Sequence, residues 1–165
     1  MNEWVRFADS KAAILIAANA AVVFGLLQSG WSFDEYRHWN LYLWPLVAGC
    51  VISTFFCFLA LVPALSFPWL TRPGQRGATV SLIYFADIAK FTPKQFLEAL
   101  AQAVGYEQDP STAHDLDLAR QIVTNSTIAL NKYRLMTVAF WATLAGLISV
   151  PVFAVFILLR GRLWD

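Results

Sequence analysis

Charge is scarce in this sequence: 14 % of its 165 residues are Asp, Glu, Lys or Arg, against 58 % apolar ones, a balance outside the usual range of soluble domains. Twelve basic side chains nearly cancel eleven acidic ones, and the net charge of +1 provides no field to hold a nucleic acid. Cysteine and histidine number two each. Cys50 and Cys57 stand seven residues apart on one helix face of an apolar run, where neither a disulfide nor a metal site has a place; they read as small packing residues. Asp109, His114, Asp115 and Asp117 form the one local group with metal-ligand chemistry, but their spacing matches no structural zinc pattern. Acids there suit the positive first turn of a helix. No GxSxG, HExxH, Walker or paired-cysteine motif occurs, so nothing points to catalysis, a metal or a cofactor.

What the chain does have is long apolar stretches. A backbone in hydrocarbon must satisfy its own hydrogen bonds, and about 20 residues of helix cross the core. Ala12–Leu27, Leu41–Phe67 and Leu135–Leu159 come near or exceed that length. The first rises only about 24 Å, so its helix is expected to begin within Glu3–Lys11, with Trp4 and Phe7 at headgroup level and Asp9 and Lys11 near water. A cleaved signal peptide is the competing reading, but no small-x-small site follows and Asn19 interrupts the apolar run.

Basic residues near spans are retained on the cytoplasmic side. Arg6, Lys11, Arg72, Arg76, Lys90, Lys94, Arg120, Lys132 and Arg134 fall on one side; Arg37, Arg160 and Arg162 fall on the other. This predicts a cytoplasmic N-terminus and three regions: an N-terminal helix with spans one and two over 1–67, a cytoplasmic segment over 68–134, and span three with a short outer tail over 135–165. Trp31, Phe33, Tyr36 and Trp39 of the outer loop are interface anchors. Trp44 and Pro45 mark the start of span two, with Pro63, Pro68 and Pro73 near its end.

In the segment between spans two and three, TRPGQRG is an irregular turn, and VSLIYFADIAKF leaves strand or helix open, with a docked helix or partly extended stretch favoured. Thr92-Pro93-Lys94-Gln95 carries a capping box with Pro at the first helical position, predicting a helix over 93–104 ended by Gly105. Asp109-Pro110 is expected to cap the next helix, which continues without a break into span three for about 75 Å. Leu116, Ala119, Val123, Ser126, Leu130 and Tyr133 follow a 3-4 alternation that Thr137, Phe140, Leu144 and Leu147 extend. This stripe fits either packing on the chain's own helix or a seam between copies. The fold class is thus an all-α membrane protein, three spans with a mostly helical segment between the second and third.

Asp9, Lys11, Lys132 and Arg134 lie just before spans one and three, where they either pair in a low-dielectric edge or snorkel to headgroups. Asn19, near mid-span, is expected to face a helix partner. With those four it forms a candidate polar network at the cytoplasmic mouth.

FADSKAAILIAANAAVVFGLL, SLIYFADIAKFTPKQFLEAL and RQIVTNSTIALNKYRLMTVAFW, in that order from Arg6 to about Trp141, resemble the Pycsar effector transmembrane family, PycTM. Family-like positions are Asp9, Lys11 and Asn19, then Phe85 and Asp87, then Asn125, Ser126, Lys132 and Tyr133. The resemblance implies an effector of the bacterial inner membrane that acts in anti-phage defence, answering cyclic CMP or cyclic UMP by impairing the bilayer; with the polar mouth, Asn19 and the stripe running into span three, the leading expectation is a homo-oligomer that thins the bilayer or opens a pore. The segment 68–134 lacks a β-rich cyclic-nucleotide domain. Such a ligand carries one phosphate charge and a flat base: Arg72, Arg76, Lys90 and Arg120 are candidates for phosphate, Asn125 and Ser126 for base edges, and Tyr84, Phe85 or Tyr106 for stacking. A non-catalytic structural or adaptor subunit of a membrane complex is the alternative function.

Overall fold

The computed structural model describes residues 3–28, 37–62, 81–105 and 112–162. Arg72, Arg76, Tyr106, the Asp109-Pro110 pair, Pro63, Pro68, Pro73 and the loop aromatics Trp31, Phe33 and Tyr36 lie outside these residues, as do the side chains of Trp4, Trp39, Arg37, Arg160 and Arg162. Among the described residues five helices follow in order: α1 (Glu3–Gln28), α2 (Arg37–Leu61), α3 (Phe85–Ile88), α4 (Pro93–Val104) and α5 (Ala113–Arg162). Among the described residues there is no strand. Of the described helices three are long and apolar enough to cross a membrane, over Val5–Gln28, Leu43–Leu61 and within Ala113–Phe156. As expected, α1 begins well before Ala12, and α5 runs through both the inter-span segment and span three.

Among the described residues helix α2 ends at Leu61, in keeping with the bias of a residue before proline against the α conformation; the rest of the expected run, from Pro63 to Phe67, lies outside the described residues. At its other end α2 starts at Arg37, which places Pro45 inside the helix; a membrane helix tolerates the lost N–H where neighbours re-satisfy the backbone. The Asp109-Pro110 cap expected for α5 lies outside the described residues, and the described start of the helix is preceded by Thr112. Its Oγ1 accepts from the Asp115 amide at 3.3 Å and its hydroxyl meets the Asp115 carboxylate. In the undecided stretch, Tyr84 is extended and α3 is a single helical turn, so both alternatives are partly realised.

The chain divides into two compact units: Met1–Ala8 with Val62–Arg134, and Asp9–Leu61 with Leu135–Asp165. In the first, the inter-span unit, Ile88, Phe96 and Ala119 form a small core, flanked by Leu82, Phe91, Leu97 and Val123. Helix α4 is held at its start by the Thr92–Gln95 capping box and at its end by Gly105 in the left-handed region at φ 76°. The Ala119 and Val123 part of the α5 stripe therefore packs on the chain's own helices.

In the second, the span unit, most of the fully buried residues are small, and many large apolar ones are exposed. Ala12, Cys57 and Ala139 make one layer, Asn19, Ser53 and Thr143 a second, and Gly49 with Gly146 a third. Numbers rise along α1 and α5 as they fall along α2, so α2 runs antiparallel to the other two. Cys50 and Cys57 are buried and free. Inside the span the buried face of α5 is Leu135, Ala139, Thr143 and Gly146, while Thr137, Phe140 and Leu147 are exposed. The upper half of the stripe thus lies mostly on the exposed side of α5, with Leu144 half-buried. In lipid, where large apolar side chains gain little from leaving the solvent, close backbone approach between small residues decides the interface.

Candidate functional site

An amide in mid-span is expensive unless its polar atoms find partners. Asn19 is 1 % exposed. Its Nδ2 donates to Ser53 Oγ at 2.9 Å and to Thr54 Oγ1 at 3.4 Å, and its Oδ1 accepts from Thr143 Oγ1 at 3.0 Å. One side chain of α1 therefore clasps both other spans. An amide has two donors and a carbonyl oxygen, so the cluster is satisfied almost entirely inside the protomer. Thr143 Oγ1 also lies 3.3 Å from the Ala139 carbonyl of its own helix, which gives the hydroxyl a fallback acceptor.

Next to this clasp the helices come together on backbone. A Cβ added at Gly49 would stand 2.7 Å from the Ala142 carbonyl oxygen and 3.1 Å from Gly146 Cα. A Cβ at Gly146 would stand 3.3 Å from the Leu46 Cα and carbonyl and from the Pro45 carbonyl. Only glycine fits such a crossing without widening it. The clasp holds hydroxyls and an amide and no ionisable group, so its chemistry is adhesion between helices.

The inter-span unit carries a second group. Phe85 is buried and stacks on Tyr133 with centroids 5.2 Å apart and planes at 23°, and Tyr84 leans on Phe85 at 4.8 Å. The turn before α3 is pinned by polar contacts. Ser81 Oγ accepts from the Ile83 and Tyr84 amides at 3.3 and 3.2 Å, while the Ser81 amide donates to Asp87 Oδ2 at 3.3 Å. Lys90 Nζ donates to Asp87 Oδ1 at 2.7 Å. That bond, with the Ser81 amide, holds the Asp87 carboxyl below its ordinary range.

The ligand candidates are distributed as follows. Lys90 is exposed and bonded to Asp87, and Arg120 is exposed and paired with Asp117 at 3.2 Å. Asn125 is exposed and Ser126 buried on adjacent positions of α5, about 100° apart around the helix, so their side chains leave it in different directions. Ser126 and Tyr133, seven residues apart, share a face with the Phe85 stack. Of the mouth residues, Lys132 is buried and Arg134 half-buried in the inter-span unit, whereas Asp9 is half-buried and Lys11 exposed in the span unit. Asn19 lies two helical turns beyond Lys11, about 12 Å along α1. Asp115 and Asp117 are occupied by Thr112 and Arg120, and among the described residues no group of three His, Cys, Asp or Glu could hold a metal ion.

Sequence reasoning named Asn19 but missed Ser53, Thr54 and Thr143. The available signal was a small polar residue recurring with cysteine, as in Cys50, Ser53 and Cys57, on one face of an otherwise apolar helix. It also missed the Gly49–Gly146 crossing and Asn131, which is buried with no partner for Oδ1 among the described residues.

No curated protein and no solved structure matches this sequence. The Pycsar effector protein domain matches residues 1–160, from α1 to the last turn of α5. Together with the three apolar helices, a match of that extent means that the chain belongs to the Pycsar effector family, PycTM, and is a multi-pass membrane effector of anti-phage defence.

Proposed function

We propose that this effector works as a homo-oligomer in the bacterial inner membrane, with its N-terminus and inter-span segment in the cytoplasm, and that cyclic UMP or cyclic CMP shifts its spans to a packing that breaches the bilayer. The observation that carries this reading is the effector-domain match over residues 1–160. Physical support comes from three directions. Nine of the twelve basic residues lie on one side of the expected spans, the pattern of a cytoplasmic face. Three helices enclose no aqueous path alone, so a pore needs several copies. The small-residue seams and the satisfied Asn19 clasp make the protomer's spans one packed body, able to move as a unit.

Phosphate recognition falls to Lys90 and Arg120, with Arg72 and Arg76, and stacking to the aromatic side chains around Phe85. The carboxylates that hold Lys90 and Arg120 are surface partners, and such pairs are weak in water, so either cation can turn to an incoming phosphate. Driving a resting population of 1:99 to 99:1 requires about 5.5 kcal/mol of preference for the active state, within reach of several contacts made by each of several subunits.

The test is dye release from liposomes reconstituted with the purified protein. Release is expected on adding cyclic UMP or cyclic CMP and not on adding the linear monophosphates. Protein that stays monomeric in lipid and never releases dye with either nucleotide sinks the proposal. Orientation is checked separately in a Cys50→Ser, Cys57→Ser background: a thiol at Gly30→Cys labels from outside the cell and one at Gln108→Cys does not. The reverse pattern overturns the topology.

A further inference from the structure

Proline and glycine weaken a helix in different ways. Proline removes the amide that would bond the carbonyl four residues back and crowds that carbonyl, while glycine leaves the backbone without a side chain to restrict it. Apart from the packed Gly49 and Gly146, each helix of the span unit holds one such residue within its apolar span: Gly25 in α1, Pro45 in α2 and Pro151 in α5.

Their heights agree. Asn19 bonds to Ser53 and Thr143, which sets these three residues at one level, with α2 running opposite to α1 and α5. Six residues beyond Asn19, Gly25 is level with Val47 on α2 and Ser149 on α5; Pro45 and Pro151 each stand two residues further, about 3 Å of rise. The glycine crossing places Pro45 within about a turn of the same height, since its carbonyl borders Gly146. The carbonyls that lose their usual amides belong to Leu41 and Leu147, so both weakened turns run from the crossing toward the end of the bundle that holds Gln28, Arg37 and Arg162. In that turn of α5 the Ser149 hydroxyl also donates to the Gly146 carbonyl at 2.6 Å, a back-bond of the kind that bends helices.

Packing stops at this level as well. Leu46 and Gly146 are buried, but among the described residues none is buried in α1 beyond Asn19, in α2 before Leu46 or in α5 beyond Gly146. A Cβ at Gly25 would meet nothing within 4 Å. Few buried contacts on a weakened backbone mark a segment of low local stability.

We infer that the span unit is a packed stem with a hinged rim. The Asn19 clasp and the Gly49–Gly146 crossing form the stem, and the ends of α1, α2 and α5 past Gly25, Pro45 and Pro151 form the rim and bend about those residues. The stem moves as a body, and its movement reaches the far end of the bundle as bending of the rim. This device requires neither a nucleotide nor an oligomer, and it stands or falls independently of the proposed signal.

The experiment measures nitroxide distances by double electron–electron resonance in the full chain, reconstituted into phosphatidylcholine vesicles in a Cys50→Ser, Cys57→Ser background. Leu27→Cys with Leu159→Cys is the rim pair and Ile14→Cys with Phe140→Cys the stem pair; all four positions are exposed. Leu159 lies eight residues past Pro151, about 12 Å, so a bend of about 20° displaces it by about 4 Å. The rim distribution is expected to be broader than the stem distribution by about that amount, and Pro151→Leu is expected to narrow it to the stem's width. A rim no broader than the stem overturns the hinge. So does a broad rim that Pro151→Leu leaves unchanged, which would be fraying of the helix ends without a hinge. Should Pro151→Leu fail to fold, Pro151→Ala and Ser149→Ala take its place with the same two readings.

Discussion

Gly49→Ala adds one methyl group to the seam between α2 and α5, and the consequence can be worked from its surroundings. The new Cβ would meet the Ala142 carbonyl at 2.7 Å and Gly146 Cα at 3.1 Å. Both are backbone atoms and neither can swing aside. Ordinary contact begins near 3.4 Å, so the helices must part by about 0.7 Å at this level. A gap of that size forfeits a quarter to a half of the dispersion energy of the atom pairs it separates, and overpacking of this kind typically costs about 1–3 kcal/mol. Ser53 is one turn along α2 and Thr143 is next to Ala142, so the same movement stretches the Asn19 clasp, whose bonds are worth about 0.6 kcal/mol each on average in a bilayer. Against this stands the better helix propensity of alanine, at most about 1 kcal/mol. The net expectation is a loss of about 1–2 kcal/mol. Gly25→Ala is the internal control, since its Cβ would meet nothing within 4 Å and keeps only the propensity gain. Unfolding in mixed micelles titrated with sodium dodecyl sulfate, followed by helical circular dichroism, measures both variants. Equal stability of the two, within about 0.5 kcal/mol, would refute the tight crossing.

Further expectations follow from the clasp, the turn and the helix cap. Asn19→Leu removes the bonds to Ser53, Thr54 and Thr143 and is expected to cost about 1–3 kcal/mol in the same assay, whereas Thr143→Ser keeps a hydroxyl and should cost less than Thr143→Val; equal losses for the two would deny the hydroxyl its role. The Asp87 carboxyl, held low by Lys90 and the Ser81 amide, contributes its order to the turn at neutral pH and above the unfolded value of about 3.9, and loses it as pH falls through its lower folded value. The Ser81 amide proton should therefore titrate with a midpoint below about 3.9, and a midpoint at or above that value contradicts the pairing. Gly105→Ala forces a Cβ into the left-handed region at φ 76° and should destabilise the inter-span unit by about 1 kcal/mol, read as increased amide exchange at the end of α4; unchanged exchange there would count against the cap.

What could be read from the sequence and what could not divide along the range of the interactions responsible. Spans, the capping box at Thr92, the Gly105 stop and the unbroken α5 depend on residues within a few positions of one another, and these local rules were sufficient. The start of α2 shows where they stop working: Pro45 looks like a boundary by local chemistry, yet the helix passes through it, because packing against α5 near Gly146 decides more than one missing amide. The clasp is the clearest case of a non-local feature. Asn19 announces a polar need in mid-span, but its partners are 34 and 124 residues away, and nothing in Ser53 or Thr143 taken alone separates them from hydroxyls that bond back to their own helix, as Thr127 does to Val123. The α5 stripe marks a further limit. Up to Ser126 its 3-4 alternation selects residues that are buried or half-buried, because water outside the spans drives large apolar side chains inward. Beyond Leu135 lipid removes that drive, the same alternation picks Phe140 and Leu147 on the exposed face, and the packed positions become Ala139, Thr143 and Gly146. Hydrophobicity thus locates the core of the inter-span unit and only the outline of the span unit. In the membrane the informative residues are the small and polar ones, and these join Asn19 to the Gly49–Gly146 crossing in one mechanical element on which any rearrangement of the spans must act.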